Sequence, residues 1–306
     1  MTKTDLILKS NIMTTAHRKV VTEQTIQSAY KLLESCELCP RLCKINRLND
    51  EKGFCGIGAK VVVSSAGPHY GEEAVLVGSG GSGTIFFAGC NLSCVFCQNY
   101  DISQLRNGHE VEIDDMVNMM LQLQTRGCVN INFVTPTHVV PQVIESVFLA
   151  KERGLAIPVV YNCGGYESIE SLLLLEGAID IYMPDAKYLS CDSSRKYSFA
   201  QDYPDVMKSA LLEMYRQVGD LETKDGIAVR GLLVRHLVMP DNIAHSKEII
   251  DFIANEISEN TFVNIMDQYR PAFNAHDFAE INRPVTRQEF NTIYEYAKNK
   301  GLRLAD

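Results

Sequence analysis

The stretch AGCNLSCVFCQNYDIS, residues 88–103, sets Cys90, Cys94 and Cys97 at C-x3-C-x2-C. A closed tetrahedral metal asks for four protein ligands, so three thiolates leave one coordination position for something that is not protein. An iron held that way is open to a reactant. A second run, SCELCPRLCKINRLNDEKGFCGIG, carries Cys36, Cys39, Cys43 and Cys55 at C-x2-C-x3-C-x11-C. Four thiolates with a C-x2-C knuckle close a metal. Zinc and a 4Fe-4S cluster both satisfy the pattern, the first as a folding staple, the second as an electron relay or substrate anchor. Cys36, Cys39 and Cys43 alone resemble the later spacing, but no strand precedes them and Cys55 adds a fourth ligand, so the reactive metal belongs at Cys90, Cys94 and Cys97.

The surrounding elements say where these runs sit. Residues 1 to about 75 show no repeated strand and helix alternation; they read as a short helix near Thr25 to Leu33 and an irregular metal-binding segment. Beyond them, strand-like runs at Thr84 to Phe87, Asn130 to Val134, Pro158 to Tyr161, Asp180 to Met183, Leu232 to Met239 and Phe262 to Met266 alternate with segments of helical period. In IDDMVNMMLQLQTRG, for example, Ile113, Val117, Met120 and Leu123 recur at three- and four-residue steps before Gly127. Six alternations imply right-handed crossovers and a parallel sheet, open or barrel-like, with chemistry at the C-terminal strand ends. The run TIFF directly precedes the three cysteines, so their loop leaves that functional end.

The chain has 306 residues, 46% of them hydrophobic, enough to bury a large core. A net charge of -9 with no run of Lys or Arg argues against a broad grip on nucleic acid. The N-terminus offers only Leu6 to Leu8 as an apolar run, too short for a secretory signal, and no later segment is apolar enough to cross a bilayer, so a cytoplasmic protein is expected. In reducing cytosol the ten cysteines read as thiolate ligands or buried thiols.

The C-x3-C-x2-C run with Phe96 just before its third cysteine, on the loop after the first strand, resembles the radical S-adenosylmethionine enzymes. The resemblance implies a partial (β/α)6 TIM-type barrel over residues 76–306, following the helix and four-cysteine segment of 1–75. It implies a 4Fe-4S cluster on Cys90, Cys94 and Cys97 whose remaining iron is chelated by S-adenosyl-L-methionine, and an oxidoreductase that abstracts hydrogen from substrate through a 5'-deoxyadenosyl radical. Over about residues 34–300 the chain is similar to the pyruvate formate-lyase activating enzyme and to relatives with an N-terminal four-cysteine segment. That likeness implies a glycine of a partner enzyme as substrate, another peptide or small molecule being the alternative, and flavodoxin or ferredoxin as electron donor. The activating enzymes' Met-x-Asp-x-Lys pattern stands here as Met183, Asp185 and Lys187, which the likeness places near the methionine carboxylate, with a monovalent cation at Asp185 as one form of that contact. Their Asp-Thr-Asn-Gly is Tyr161, Asn162, Cys163, Gly164 here, and their Gly-Gly-Glu is replaced by Thr135, Pro136, Thr137, His138, whose hydroxyls and carbonyl stand in for the missing acid.

The last two strands bring Arg235, His236, Asp267, Gln268, Tyr269 and Arg270 to the expected mouth. Either Arg suits a carboxylate, and His236 suits the ribose or the substrate, or else a core contact. GSGGSG, residues 78–83, precedes a strand instead of following one and reads as a flexible turn. Met116, Met119 and Met120 read as core, Cys128 and Cys191 as inert, and Cys163 as a thiol packed near the site. His69, Glu72 and Glu73 read as a solvated turn in preference to a cover over the mouth. Set against all this is a non-catalytic zinc scaffold, in which both cysteine groups merely hold structure.

Overall fold

The computed structural model describes residues 19–305. The apolar run Leu6 to Leu8 lies outside them. Among the described residues ten strands form one sheet: β1 (Val61–His69), β2 (Ser82–Phe87), β3 (His109–Val111), β4 (Ile131–Val134), β5 (Val159–Cys163), β6 (Ile181–Pro184), β7 (Glu222–Lys224), β8 (Ile227–Leu237), β9 (Phe262–Met266) and β10 (Arg303–Leu304). The six strands expected from sequence are β2, β4, β5, β6, β8 and β9, and every pairing along that series is parallel. The order is β10-β9-β8-β6-β5-β4-β2-β1-β3, with no pairing from one end to the other among the described residues, so the barrel is partial.

Strand alternation divides the apolar residues into two cores. Phe133, Tyr161, Tyr182, Leu232 and Val234 point outward into a large core shared with the helices. Their neighbours Val160, Ile181, Met183 and Leu233 point inward and pack with Leu76, Leu221 and Ala228 beneath the barrel mouth. The helices supply the outer layer for the reason their sequences suggest. Ile113–Thr125 starts at a capping box between Glu112 and Asp115, carries two acids in its first turn, and buries Met116, Val117, Met120 and Leu123. Met116 and Met120 are therefore core residues, as their spacing indicated.

Two expectations need correction. The segment before residue 76 is not irregular throughout: β1 pairs antiparallel with β2 and covers the edge that an unclosed barrel leaves bare. It starts with three β-branched residues, Val61, Val62 and Val63, a signal outweighed by the cysteines around it. Gly78 to Gly81 of the GSGGSG run form a packed turn, since a Cβ at Gly80 would lie 1.8 Å from the Gly127 carbonyl oxygen, and Ser82 and Gly83 already open β2. Among the described residues no helix is long and apolar enough to cross a membrane.

Candidate active site

The cysteine loop leaves the C-terminal end of β2, and its three thiols line one wall of a cavity of about 250 Å³. Each sulfur has a partner behind it. The Leu92 amide donates to Cys90 Sγ at 3.3 Å, Ser198 Oγ lies 3.0 Å from Cys94 Sγ, and Ser103 Oγ lies 3.2 Å from Cys97 Sγ. Burial pushes the Cys90 and Cys94 thiols up, so a metal must displace their protons on binding. Phe96 is buried between Tyr188 and Tyr269, at ring separations of 6.3 and 5.9 Å, and fixes the loop between the second and third cysteines.

Other strand ends supply the remaining walls. Lys187 Nζ donates to Asp185 Oδ2 at 2.6 Å, Arg235 Nε to Asp185 Oδ1 at 2.9 Å, and Arg235 Nη2 to Asn162 Oδ1 at 2.6 Å. Burial pushes the Asp185 carboxyl up, but Arg235 and Lys187 outweigh it and hold the group below its ordinary value. Lys187, penalised by the same burial, ends above its ordinary value through Asp185 and Cys94. Thr135 also lines the cavity, at φ 60°, a left-handed backbone that a β-branched residue rarely adopts. Gln268 completes the set at the β9 end.

Three sequence candidates lie elsewhere. His236 faces outward, with Nδ1 2.7 Å from the Ala186 carbonyl oxygen and Nε2 2.8 Å from Ser246 Oγ, and burial lowers its pKa to about 4. It is a satisfied core histidine. Met183 belongs to the inner core below the cavity. Thr137 is fully buried and donates to Glu167 Oε1 at 2.7 Å. Glu167 also accepts from Tyr161 at 2.9 Å, and burial raises its pKa to about 7 despite those donors. No sequence signal marked it. Glu72 and Glu73, read as a solvated turn, are instead folded inward: the Glu72 side chain is 8% exposed and lies 3.8 Å from Arg235 Nη1, and Glu73 is 9% exposed. Arg270 and Asp267 are exposed, whereas Cys163 is buried and lines the cavity.

The four remaining clustered cysteines, Cys36, Cys39, Cys43 and Cys55, line a second, small cavity. Buried Arg47 staples their segment down, donating to the Gly58 carbonyl at 3.1 and 2.8 Å and to the His138 carbonyl at 2.7 Å. Ser171 and Ser168 donate to the Leu38 carbonyl between the first two cysteines. Arg41 Nε reaches the Asn91 carbonyl at 2.8 Å, and a Cβ at Gly89 (φ 83°) would lie 2.9 Å from the Cys55 carbonyl oxygen. The segment thus presses on the loop that carries Cys90. Among the described residues no three Cys, His, Asp or Glu side chains converge on a point that would hold a single metal ion. The barrel thiols fit a larger group: three soft donors on one wall of a roomy cavity, facing a carboxylate, an ammonium and a guanidinium suited to an amino-acid-like ligand.

The family model of the Radical SAM superfamily matches residues 84–253. The chain is 33% identical over 288 residues to the uncharacterised protein MJ0674 of Methanocaldococcus jannaschii, across 91% of this chain and 79% of that one. It is 26% identical over 253 residues to uncharacterised MJ0808 of the same organism, across 74% and 68%. Among solved structures it is similar to Streptococcus suis SuiB bound to precursor peptide SuiA (13% identity, TM-score 0.49, 71% of this chain and 46% of that one). It is also similar to methylornithine synthase, PylB (13% identity, TM-score 0.47, 70% and 67%). The chain spans less than half the length of SuiB.

Proposed function

The chain belongs to the radical SAM superfamily, and on that premise we propose that it is an oxygen-sensitive, activating-enzyme-like oxidoreductase that abstracts hydrogen from a glycine of a partner protein. When bound, a 4Fe-4S cluster supplies the electron that splits S-adenosylmethionine into methionine and the 5'-deoxyadenosyl radical that takes the hydrogen. The observation that carries the reading is the cavity in which Cys90, Cys94 and Cys97 face Asp185, Lys187 and Arg235. The three cysteines hold the cluster. Lys187 and Arg235, pinned by Asp185, present positive charge to a methionine carboxylate, and Asn162 fixes the guanidinium plane. Leu237, Met239 and Met266 wall the cavity with apolar surface that excludes water from the reacting centre. The protein works in the cytoplasm with flavodoxin or ferredoxin as donor, and Cys36, Cys39, Cys43 and Cys55 hold a second metal centre.

The test is anaerobic reconstitution with S-adenosylmethionine and dithionite. Release of 5'-deoxyadenosine by the wild-type chain, and its loss in Cys94→Ala, is expected; undiminished release by that variant would defeat the mechanism. A glycyl-radical signal by electron paramagnetic resonance on a co-purified partner decides the substrate.

A further inference from the structure

The gap left by the partial barrel is occupied by the segment between β1 and β2. This segment, Tyr70 to Val77, faces β9 and β10 across a further cavity of about 570 Å³. Arg235, Met266 and Gln268 line both this lateral cavity and the one that holds the three cysteine thiols, so the two adjoin. At the junction, Glu72 reaches Arg235 from the lateral side while Asp185 holds it from the other. Glu73 is nine-tenths buried. Its Oε1 accepts from Asn264 Nδ2 at 2.8 Å, and its Oε2 has no hydrogen-bond partner. Three acidic side chains (Glu72, Glu73, Asp185) thus meet Lys187 and Arg235, with His69 also near Glu72, and Glu73 Oε2 is the carboxylate oxygen left without a partner beside a roomy cavity. A buried carboxylate oxygen left bare costs stability unless something binds it.

We infer that this lateral cavity is the substrate subsite and that it takes a cationic nitrogen, an ammonium or guanidinium, on Glu73 and Glu72. The remainder of the substrate then passes Arg235, Met266 and Gln268 to reach the cysteine cavity. Calling the ligand a substrate rests on the radical reading above; the preference for a cation rests on the two glutamates alone.

The experiment uses cluster-reconstituted protein saturated with S-adenosylmethionine, which fills the carboxylate site at Lys187 and Arg235, and three probes of one shape: n-butylammonium, n-butanol and butyrate, titrated by calorimetry. The wild-type chain is expected to bind n-butylammonium at least about tenfold tighter than n-butanol, the worth of one charge-assisted hydrogen bond, and to disfavour butyrate. Glu73→Gln, which keeps an acceptor for Asn264, is expected to lose that preference, and Glu72→Gln to weaken it. Equal binding of amine and alcohol, an amine preference unchanged in both variants, or a preference for butyrate overturns the inference. Release of 5'-deoxyadenosine by the wild-type protein is read on the same samples: an amine preference without it leaves the acidic subsite standing and removes the radical reading, and release without an amine preference does the reverse.

Discussion

Arg235 and Asp185 are held 2.9 Å apart at the ends of neighbouring parallel strands, and the same guanidinium continues to Asn162 at 2.6 Å. One arginine therefore ties three strand ends, β5, β6 and β8, into a fixed charged wall.

Removing the acid should expose how much that wall depends on it. Asp185→Asn leaves Arg235 and Lys187 buried without their counterion, and a loss of about 3 kcal/mol in stability is expected from denaturant unfolding. Because the native carboxyl sits below its unfolded value near 3.8, the wild-type chain keeps this contribution above that pH and loses it as the pH falls further. The variant's stability should be flatter in that acid range.

Glu167 should show the opposite slope. Its pKa is raised from 4.5 to about 7, so between those values the folded chain keeps a proton that the unfolded chain has released. Stability supplied below pH 4.5 is then lost as pH rises through about 7, by about 3 kcal/mol in full. Glu167→Gln should remove this slope in a series of unfolding midpoints from pH 4 to 8.

The two cysteine groups should load independently. Cys94→Ala is expected to lose the barrel iron and keep the metal of the N-terminal segment, and Cys39→Ala the reverse, by metal and acid-labile sulfide content of anaerobic preparations. Joint loss from either variant would show one shared centre.

Arg47→Met should loosen the four-cysteine segment while keeping most of the buried volume. Two carbonyls, those of Gly58 and His138, lose their donor, at a cost of about 3 kcal/mol. Faster proteolysis between residues 36 and 58, with the barrel intact by circular dichroism, is the expected readout.

The parallel strands were legible because each is a short apolar run set between helical periods, and the cysteine loop because its spacing has few other uses. Side-chain direction was partly legible. Arg235 and His236 are adjacent on β8, and a strand cannot aim both inward; Arg235 enters the cavity and His236 packs outward under the helices. Depth along the barrel was not. Met183 and Asp185 share one side, yet Met183 sits a layer lower, where only neighbouring strands decide what covers it. Glu72 and Glu73 look like turn residues in isolation, and only the unclosed sheet, a long-range property, gives them a gap to turn into. Glu167 was invisible for a related reason: its surroundings are assembled from Tyr161 and Cys163 on β5 and Thr137 in the turn after β4, which no local pattern joins.

A sheet that never closes must end somewhere, and unpaired backbone at such ends recruits strands from other molecules. Here the outermost members are β3 and β10, three and two residues long. So short a template offers an incoming chain only a few hydrogen bonds, which guards the protein against edge-to-edge aggregation while leaving the side of its barrel unsealed.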